Sequence, residues 1–557
     1  MSSSQIHWLD YAVVLFSLFL SVGTGVYHAI KSKMLLKENG KASAKEEYLM
    51  GGRSLPPLPV ALSLLTTFLS GILMIAIPAE IFERGGQIWQ GLLAGPPAAL
   101  ITSWVFLPVF HKMKGTCLHE YFIHRYNSIF IRRMFSAIFL FYNFTYMAAV
   151  IYAPAVALGP VVEINKNIII LIFGLSTTLY TCIGGIKAVV WTDSLQAVMM
   201  YSGIIALLYR SLANPQIGGL SRVWEIAVEG GRVAELSRFD PSLTQYNNFW
   251  VNMSSSFIKY LSMFAVNQLA MQRYMALPTL KQAQGIINWT VVPSLLLCTL
   301  VAFIGLLSLA FYYNCNPLET GEITDLDHVT VLFAKTILVP VPGFFGLYLS
   351  CVMSATLSTL SSGMNSMAAA IYEDFLKQKL DRKITDSQAA RLNMIIVVII
   401  GVFSTCLAFA AEPLGGMLRM SIAVIGAIAG PMVGIFVLAL FFPSSGFWSC
   451  IVSFFTTTVI MIAICIMNYF ENPFSSLFLP TNTTIAGCGH SNFTVRSLPP
   501  FDAHYGNPSA SFLARISTYS YPTIGFVIFM VLGISISAFY KEQNPKKIRY
   551  LTYYGRQ

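Results

Sequence analysis

The chain has 557 residues, of which 55% are hydrophobic and only 11% are charged, and its formal net charge is +10 at pH 7. A soluble domain does not need so many apolar side chains, so the composition favours a membrane protein, whose spans each need ~20 apolar residues. The basic excess would suit a nucleic-acid partner, but the basic cytoplasmic loops of membrane proteins explain it better.

Thirteen apolar segments are predicted to cross the bilayer, so the predicted fold is an all-α polytopic membrane protein. In chain order they are 9–30, 56–82, 87–110, 134–159, 167–184, 191–210, 249–275, 286–312, 337–372, 392–411, 417–441, 447–469 and 520–540. The first has no small-residue cleavage site after it and is predicted to be a retained helix. The ninth is too long for one straight span, so part of it is expected outside the hydrocarbon.

The second span contains residues that interrupt helices. Within its apolar run lie Thr66, Thr67, Ser70, Gly71 and Pro78. Glycine and proline favour a break, and carbonyls freed by a break are tolerated in a membrane only where they face a cavity or protein. The seventh span is also polar in its first half. Two interrupted helices, five spans apart, are typical of an inverted-repeat transporter.

The ninth span is unusually rich in hydroxyl groups. These belong to Ser354, Thr356, Ser358, Thr359, Ser361 and Ser362. One interpretation is a packing seam, in which small residues let helices approach and hydroxyls bond across them. The other is a cation site, in which hydroxyls join carbonyls of an interrupted helix. The residues alone leave both open.

The distribution of basic residues predicts the orientation. With the N-terminus outside, 24 of the 35 Lys and Arg residues fall in inner loops or the tail and nine fall outside. This asymmetry favours an extracellular N-terminus and a cytoplasmic C-terminus. Two basic residues, Lys259 and Arg419, remain inside spans. Each is a functional candidate because a charge in a span is costly, although each could instead extend to the membrane surface.

The predicted outer loops carry features of the secretory pathway. Asn482 and Asn492 begin glycosylation sequons in the 470–519 loop. Cys315 and Cys488 also fall in outer loops, where they could form a disulfide or remain two free thiols. The sequence contains no phosphate-binding loop, zinc-ligand spacing or nucleophile elbow. An enzyme is therefore not expected, and the function should lie among the helices.

Several segments resemble one family of transporters. They are GGRSLPPLPVALSLL, PAEIFERG, VIYAPAVAL, GGIKAVVWTDSLQ, VNQLAMQRYM and ATLSTLSSGMNSMAAAIYEDF. Together they are similar to the sodium/solute symporter family, in its branch of multivitamin, monocarboxylate and iodide transporters. The segment GGLSRVWEIAVEGGR is most similar to the multivitamin members.

The resemblance implies a LeuT-like core of two inverted five-helix repeats, with one helix before it and two after. The corresponding domains are 1–55 (N-terminus, first span and inner loop), 56–210 (first repeat), 211–248 (outer loop), 249–441 (second repeat), 442–540 (last two spans with the glycosylated loop) and 541–557 (cytoplasmic tail).

The resemblance also implies a site for Na⁺, the coupling ion. Its ligands would be backbone carbonyls of Thr66, Leu69 and Ala355 and the hydroxyls of Ser358 and Thr359.

Asp193 in the WTD motif would lie on the inner release path, unless it is a simple interfacial charge. The candidates implied for the substrate cavity are Ser70, Gly71, Leu73, Tyr146, Lys259, Tyr260 and Arg419. Leu73 is apolar where iodide and monocarboxylate carriers are polar, which disfavours iodide and an extra sodium ligand. Tyr260 replaces an Asn of the sugar carriers, which disfavours a sugar.

These observations predict a plasma-membrane symporter that couples sodium to a small organic anion, such as a monocarboxylate, biotin or pantothenate, by alternating access. The alternatives are a sodium channel or uncoupled facilitator on the same scaffold, and a non-transporting substrate sensor. The expected partners are the anion, sodium and the lipid bilayer, without nucleic acid. The sequence leaves the oligomeric state open.

Overall fold

The computed structural model describes residues 6–38, 43–113, 115–380, 383–410, 417–471, 479–488, 507–540 and 551–553. Up to the middle of the chain the α-helices are α1 Trp8–Glu38, α2 Ala44–Met50, α3 Pro57–Phe68, α4 Gly71–Arg84, α5 Gln87–Gln90, α6 Gly95–Ile101, α7 Leu107–Met113, α8 Tyr121–Tyr126, α9 Ile129–Val162, α10 Lys166–Leu212 and α11 Gly219–Glu229. They continue with α12 Phe249–Phe264, α13 Gln268–Met275, α14 Leu280–Tyr312, α15 Asp327–Leu338, α16 Phe344–Ile371, α17 Lys377–Leu380, α18 Asp386–Ala410, α19 Met417–Phe441, α20 Phe447–Glu471, α21 Ile485–Cys488 and α22 Tyr521–Phe539. The predicted all-α architecture is confirmed over these residues.

Shorter helical turns join some of these helices. Two π-helical turns cover Thr102–Phe106 and Tyr372–Leu376. The 3-10 turns are Gly51–Arg53, Gly91–Ala94, Leu118–Glu120, Ala234–Ser237 and Thr518–Ser520.

Ten helical segments of the described chain are long and apolar enough to cross a membrane, and the bent pair α3–α4 makes an eleventh. The ten are Trp8–Ser32, Gln87–Met113, Ile129–Val162, Lys166–Leu212, Leu280–Tyr312, Phe344–Leu380, Asp386–Ala410, Ala423–Phe441, Phe447–Glu471 and Thr518–Phe539. This number is below the thirteen predicted spans for two reasons.

The first reason is α10, which contains two of the predicted spans. Its 47 residues would extend ~70 Å at 1.5 Å per residue, more than twice the ~30 Å of hydrocarbon. Gly185 interrupts it with φ 56° and ψ −156°, a conformation that requires glycine. The two predicted spans 167–184 and 191–210 thus lie on either side of Gly185, within one continuous helical segment.

The second reason is the seventh predicted span, 249–275, which is divided between α12 and α13 by the non-helical residues 265–267. Neither α12 nor α13 is long enough by itself to be counted as a membrane-spanning helix. The predicted start of the ninth span is wrong, since residues 337–338 end α15 and α16 begins only at Phe344.

Side-chain caps explain where several of these helices begin. The side chains of Ser128, Asn248, Asn267 and Thr279 each precede a helix and accept a hydrogen bond from a backbone N–H of its first turn. Such caps satisfy donors that have no partner within the helix. The cap at Asn267 restarts the helix immediately after the interruption of the seventh span.

The centre of the bundle is α16. Every residue from 348 to 370 is buried, and the helix packs against α1, α3, α4, α9, α10 and α18. Its hydroxyl groups therefore face other helices rather than lipid. This position puts the polar stretch of the ninth span at the protein interior, where each hydroxyl needs a partner.

At one end of the bundle, predicted outer loops are joined. Arg232 Nη2 donates to the carbonyls of Phe82, at 2.8 Å, and Leu479, at 3.1 Å. Burial lowers the pKa of Arg232 to about 10, so it stays charged at neutral pH. Cys315 and Cys488 form a disulfide with Cα atoms 4.9 Å apart. Of the two sequon asparagines, Asn482 is exposed, and Asn492 lies outside the described residues.

At the other end, predicted inner segments are joined. The buried guanidinium of Arg125 donates to the carbonyls of Ala439, at 2.9 Å, and Phe442, at 3.0 Å. These hydrogen bonds satisfy carbonyls at the C-terminal end of α19. The Tyr121 hydroxyl donates to the carbonyl of Leu551 in the tail, at 3.1 Å. Segments that the charge pattern assigned to the same side are thus in contact with one another.

Candidate functional site

The helix formed by α3 and α4 is broken in the interior of the protein. The two parts are bent by 53°. Leu69 and Ser70 separate them with non-helical ψ values of 82° and 164°. Because the helix ends at Phe68, carbonyls of its last turn lose their normal N–H partners. The interruption predicted from Ser70 and Gly71 is present in the structure.

Two hydroxyls of α16 meet the carbonyls at this break. Ser358 Oγ donates to the carbonyl of Thr66 at 3.1 Å and to that of Ala355 at 3.2 Å. Thr359 Oγ1 donates to the carbonyl of Thr67 at 3.3 Å and to that of Ala355 at 3.1 Å. The structure thus brings together four of the five residues predicted to hold sodium.

The contacts also involve a residue that the sequence analysis did not assign. Thr67, rather than Leu69, accepts the hydrogen bond of Thr359. Leu69 is buried at the break itself. The signal for Thr67 was its place in the interrupted polar run, but only the packing of α16 identifies which carbonyl faces which hydroxyl.

The chemistry of this oxygen cluster suits a monovalent cation. Its members are carbonyl and hydroxyl oxygens, which a hard cation prefers, and the five predicted ligands include no carboxylate. Sites for divalent ions of the calcium type generally include several carboxylates. The residues present therefore fit sodium.

Gly71 lies where α4 packs closely against α16. A Cβ atom at this position would lie 2.3 Å from Thr356 Oγ1 and 3.1 Å from the carbonyl of Val352. Only glycine lets α4 approach α16 so closely. The place of Gly71 in the substrate cavity stays a prediction.

Asp193 lies next to this cluster, in the second half of α10. It is fully buried and forms an ion pair with the equally buried Arg273 of α13, with Nη2 and Oδ2 3.1 Å apart. Ser63 Oγ donates to Asp193 Oδ2 at 2.5 Å, and Arg273 Nε donates to Ser63 Oγ at 2.8 Å. The alternative of a simple interfacial charge is therefore wrong.

The network of Asp193 extends to the α16 hydroxyls. Ser361 and Ser362 each donate to the carboxylate at 3.4 Å. Ser362 also shares a hydrogen bond with Thr67 Oγ1 at 3.0 Å and accepts one from Arg273. The charged pair is thus linked directly to the broken helix. It joins α3, α10, α13 and α16 in the structure.

A cavity of about 270 Å³ opens beside the break. Among its lining residues are the predicted Ser70, Leu73, Tyr146, Lys259 and Tyr260. The side chain of the other candidate, Arg419, lies outside the described residues.

Lys259 places a basic side chain in the lining of this cavity. Its side chain is exposed within the cavity lining, and no carboxylate of the described residues lies within 4.0 Å of its ammonium. Tyr260 lies beside it and stacks on Phe264 with ring centroids 5.9 Å apart.

The cavity also includes an acid that the sequence analysis missed. Glu80 accepts hydrogen bonds from Tyr246 at 2.9 Å and Tyr519 at 3.3 Å, and its other oxygen pairs with Arg84 at 3.2 Å. Its place in the PAEIFERG motif was the available signal. Arg84 offsets the charge of Glu80. Among the described residues that line the cavity, the charged group without a nearby partner of opposite charge is therefore Lys259.

Comparison with known proteins gives consistent results. The model of the "Sodium:solute symporter family" matches residues 48–452. Sodium-coupled monocarboxylate transporter 2 of Homo sapiens is 29% identical over 540 residues, covering 97% of this chain and 85% of the relative. The sodium-dependent multivitamin transporter of Oryctolagus cuniculus is 30% identical over 551 residues, covering 96% and 83%. The sodium/iodide cotransporter of Homo sapiens is 34% identical over 438 residues, covering 78% and 66%.

The fold is also similar to that of a solved structure. It is a Na⁺-coupled sialic acid symporter in a substrate-bound outward-open state, with a TM-score of 0.77 and 20% identity, covering 96% of this chain and 99% of the other. The predicted LeuT-like fold and the family resemblance are confirmed.

The buried Asp193–Arg273 pair yields a prediction about stability. Arg273→Met leaves a buried carboxylate without its cation, and breaking such a pair costs ~3–5 kcal/mol. We expect a marked fall in folded protein and in the thermal unfolding temperature in detergent. The double variant Asp193→Asn/Arg273→Met removes both charges and should recover part of the loss.

The control for this prediction is Arg133→Met. Arg133 is only partly buried and donates to Gln378 at 3.0 Å, and such a surface contact contributes little. If the Arg273→Met variant were as stable as this control, the prediction that the buried Asp193–Arg273 pair stabilises the fold would be wrong.

Proposed function

The chain belongs to the sodium:solute symporter family and is a sodium-coupled solute symporter rather than an enzyme, and on that premise we propose that it imports a small organic anion by alternating access. The observation that carries the proposal is Lys259, a cation in the cavity lining without a nearby carboxylate among the described residues. An ammonium held among helices needs a counter-ion or water. A substrate carboxylate would supply the counter-ion.

The size and lining of the cavity support a small solute. Its volume of about 270 Å³ is slightly below the ~300–1,000 Å³ that is usual for ligand pockets. Leu73, Trp89 and Tyr260 provide apolar and aromatic surface beside the charged Lys259. This combination suits a monocarboxylate or a vitamin such as biotin or pantothenate. Relatives named as monocarboxylate and multivitamin transporters support the same class.

Sodium is proposed to bind between α16 and the break of α3–α4. The proposed ligands remain the carbonyls of Thr66, Leu69 and Ala355 and the hydroxyls of Ser358 and Thr359. What supports this set is the contact of both hydroxyls with carbonyls of the break. A bound cation would take oxygen lone pairs that now accept hydrogen bonds, so binding changes the contact between α16 and α3.

Asp193 is proposed to act on the inner release path. Its network with Arg273, Ser63 and Ser362 joins the broken helix to α10 and α13. Sodium leaving past these residues requires that the network rearranges. A continuously open sodium channel is disfavoured by the same contacts, since the pair is fully buried.

The orientation belongs to the proposal as well. We place this multi-pass protein in the plasma membrane with an extracellular N-terminus and a cytoplasmic C-terminus. The supporting facts are the asymmetry of basic residues and the grouping of the loops at two ends of the bundle. The Cys315–Cys488 disulfide and sugars on Asn482 and Asn492 would then face the oxidising side. The inverted repeats 56–210 and 249–441 stay a prediction.

Uptake into proteoliposomes tests the function. An inward sodium gradient should drive accumulation of one carboxylate from a panel of lactate, short-chain fatty acids, biotin and pantothenate, but not of iodide or glucose. Uptake that only equilibrates without sodium would instead identify a facilitator or channel. Binding without accumulation would identify a sensor.

The double substitution Ser358→Ala/Thr359→Ala tests the sodium site. It removes two oxygens while leaving residues that favour a helix, so we expect normal surface expression and a half-saturating sodium concentration raised at least 10-fold, or ~1.4 kcal/mol. Sodium-activation curves of substrate uptake measure the change. The control is Ser350→Ala, because its buried hydroxyl lies on the same helix and has no hydrogen-bond partner in the described part of the chain. Equal sodium activation in both variants would contradict the assignment.

The substitution Lys259→Met tests the anion site. It keeps the length of the side chain but removes the charge, and losing one partner of a buried charged pair costs ~2–5 kcal/mol. We expect the apparent affinity for the anion to fall more than 10-fold, with little change in sodium binding without substrate.

The control is Lys281→Met, which removes an exposed lysine at the start of α14 that is not part of the cavity lining. Wild-type uptake by Lys259→Met would show that this lysine does not contact the substrate.

A further inference from the structure

A cluster of metal-ligating groups lies away from the cavity, at the end of the bundle where the predicted inner loops meet. Cys117 and His119 belong to the segment between α7 and α8, Ser136 belongs to α9, and Asp374 lies in the π-helical turn that follows α16. All four side chains are buried. The transport proposal uses none of them.

Three different ligand atoms converge in this cluster. Cys117 Sγ lies 3.1 Å from Asp374 Oδ2 and 3.4 Å from His119 Nδ1, and that nitrogen lies 3.1 Å from the same carboxylate oxygen. In a tetrahedral zinc site with ordinary bond lengths, such atoms are separated by roughly 3.3–3.6 Å. The observed triangle therefore needs expansion of only a few tenths of an ångström to surround an ion.

Neighbouring side chains orient the carboxylate and the imidazole of this cluster. Arg132 Nε donates to Asp374 Oδ1 at 2.5 Å, so the guanidinium orients the carboxylate through its other oxygen and leaves Oδ2 toward the cluster. Ser136 Oγ lies 2.8 Å from His119 Nδ1 and also contacts Oδ2, which puts a fourth possible ligand atom, a hydroxyl oxygen, beside the other three. Phe139 packs against the imidazole with ring centroids 5.6 Å apart and restricts its rotation.

We propose that Cys117, His119 and Asp374 bind a divalent transition-metal ion of the zinc class, with the Ser136 hydroxyl or a water in the remaining position. The combination of thiolate, imidazole and carboxylate suits zinc rather than calcium or magnesium, which prefer oxygen ligands. Binding releases the thiol proton of Cys117, because the thiolate is the ligand. In the proposed orientation the site faces the reducing cytoplasm, where this thiol stays free of disulfides.

The ion would act as a structural clamp. It would join the loop before α8 and helix α9 to the end of α16, the helix whose earlier residues Ser358 and Thr359 contact the break. Structural zinc contributes directly to folding free energy. The bound ion therefore stabilises the inner end of α16, and its removal should loosen this end before it affects the cavity.

Metal analysis of the full-length protein in detergent, after removal of any affinity tag, tests the proposal. Elemental mass spectrometry should find about one zinc per chain, as expected for a single site. Cys117→Ser and His119→Gln should each lose most of this metal. Cys465→Ser is the matched control, because it removes a half-buried thiol outside the cluster, and it should keep the metal.

Two further measurements work even if a variant folds poorly. Wild-type protein reconstituted with Co²⁺ should show a thiolate-to-cobalt charge-transfer band, and a strong chelator should lower its thermal unfolding temperature. Neither depends on transport, so a failed transport proposal leaves this test intact. Absence of both zinc and the cobalt band would show that the cluster is only a hydrogen-bonded contact. Metal that persists in Cys117→Ser and His119→Gln would place it elsewhere and overturn the proposal.

Discussion

A broken helix inside a membrane protein leaves backbone carbonyls that water cannot reach and that other groups must satisfy. The structure meets this constraint at the end of α3, where Ser358 and Thr359 donate to the carbonyls of Thr66 and Thr67. An unsatisfied polar group costs several kcal/mol in hydrocarbon. The position of α16 at the centre of the bundle follows, because only a buried helix can bring hydroxyls to that depth. The site proposed for sodium uses the same oxygens.

Charged side chains among the helices occur in two different settings. Asp193 and Arg273 are fully buried and paired, so their charges offset each other while their hydrogen bonds join four helices. Glu80 is likewise paired with Arg84. Lys259 faces the cavity without such a partner within the described residues. Paired charges hold the helices in one arrangement, whereas an unpaired charge in a cavity is available to a ligand.

The two ends of the bundle are fixed by different chemistry. At the end of the predicted outer loops, Arg232 and the Cys315–Cys488 disulfide connect segments that are distant in sequence. Among the predicted inner segments, Arg125 donates hydrogen bonds to carbonyls at the end of α19. Asp374, just after α16, has several polar partners, including Arg132. Both ends are thus held by contacts between loops, while the centre depends on the helix break and its hydroxyl partners.

The membrane character, the helical architecture and the family could all be inferred without coordinates, because long apolar runs have few alternatives in a bilayer and local motifs survive in the sequence. The family resemblance also predicted that Ser358 and Thr359 lie against the broken helix. It did not identify the carbonyl of Thr67, the packing role of Gly71 or the place of Glu80 in the cavity. Each of these depends on which face one helix turns toward another.

Asp193 and Arg273 show the same limit most clearly. They are 80 residues apart and lie on different helices, so spacing gives no sign that they pair. Their burial and partnership arise only when the second half of α10 packs against α3 and α16, where Asp193 meets Arg273 of α13. Composition and periodicity determine which segments enter the membrane, but long-range packing decides which polar groups meet there, because those contacts join residues whose separation in sequence carries no pattern.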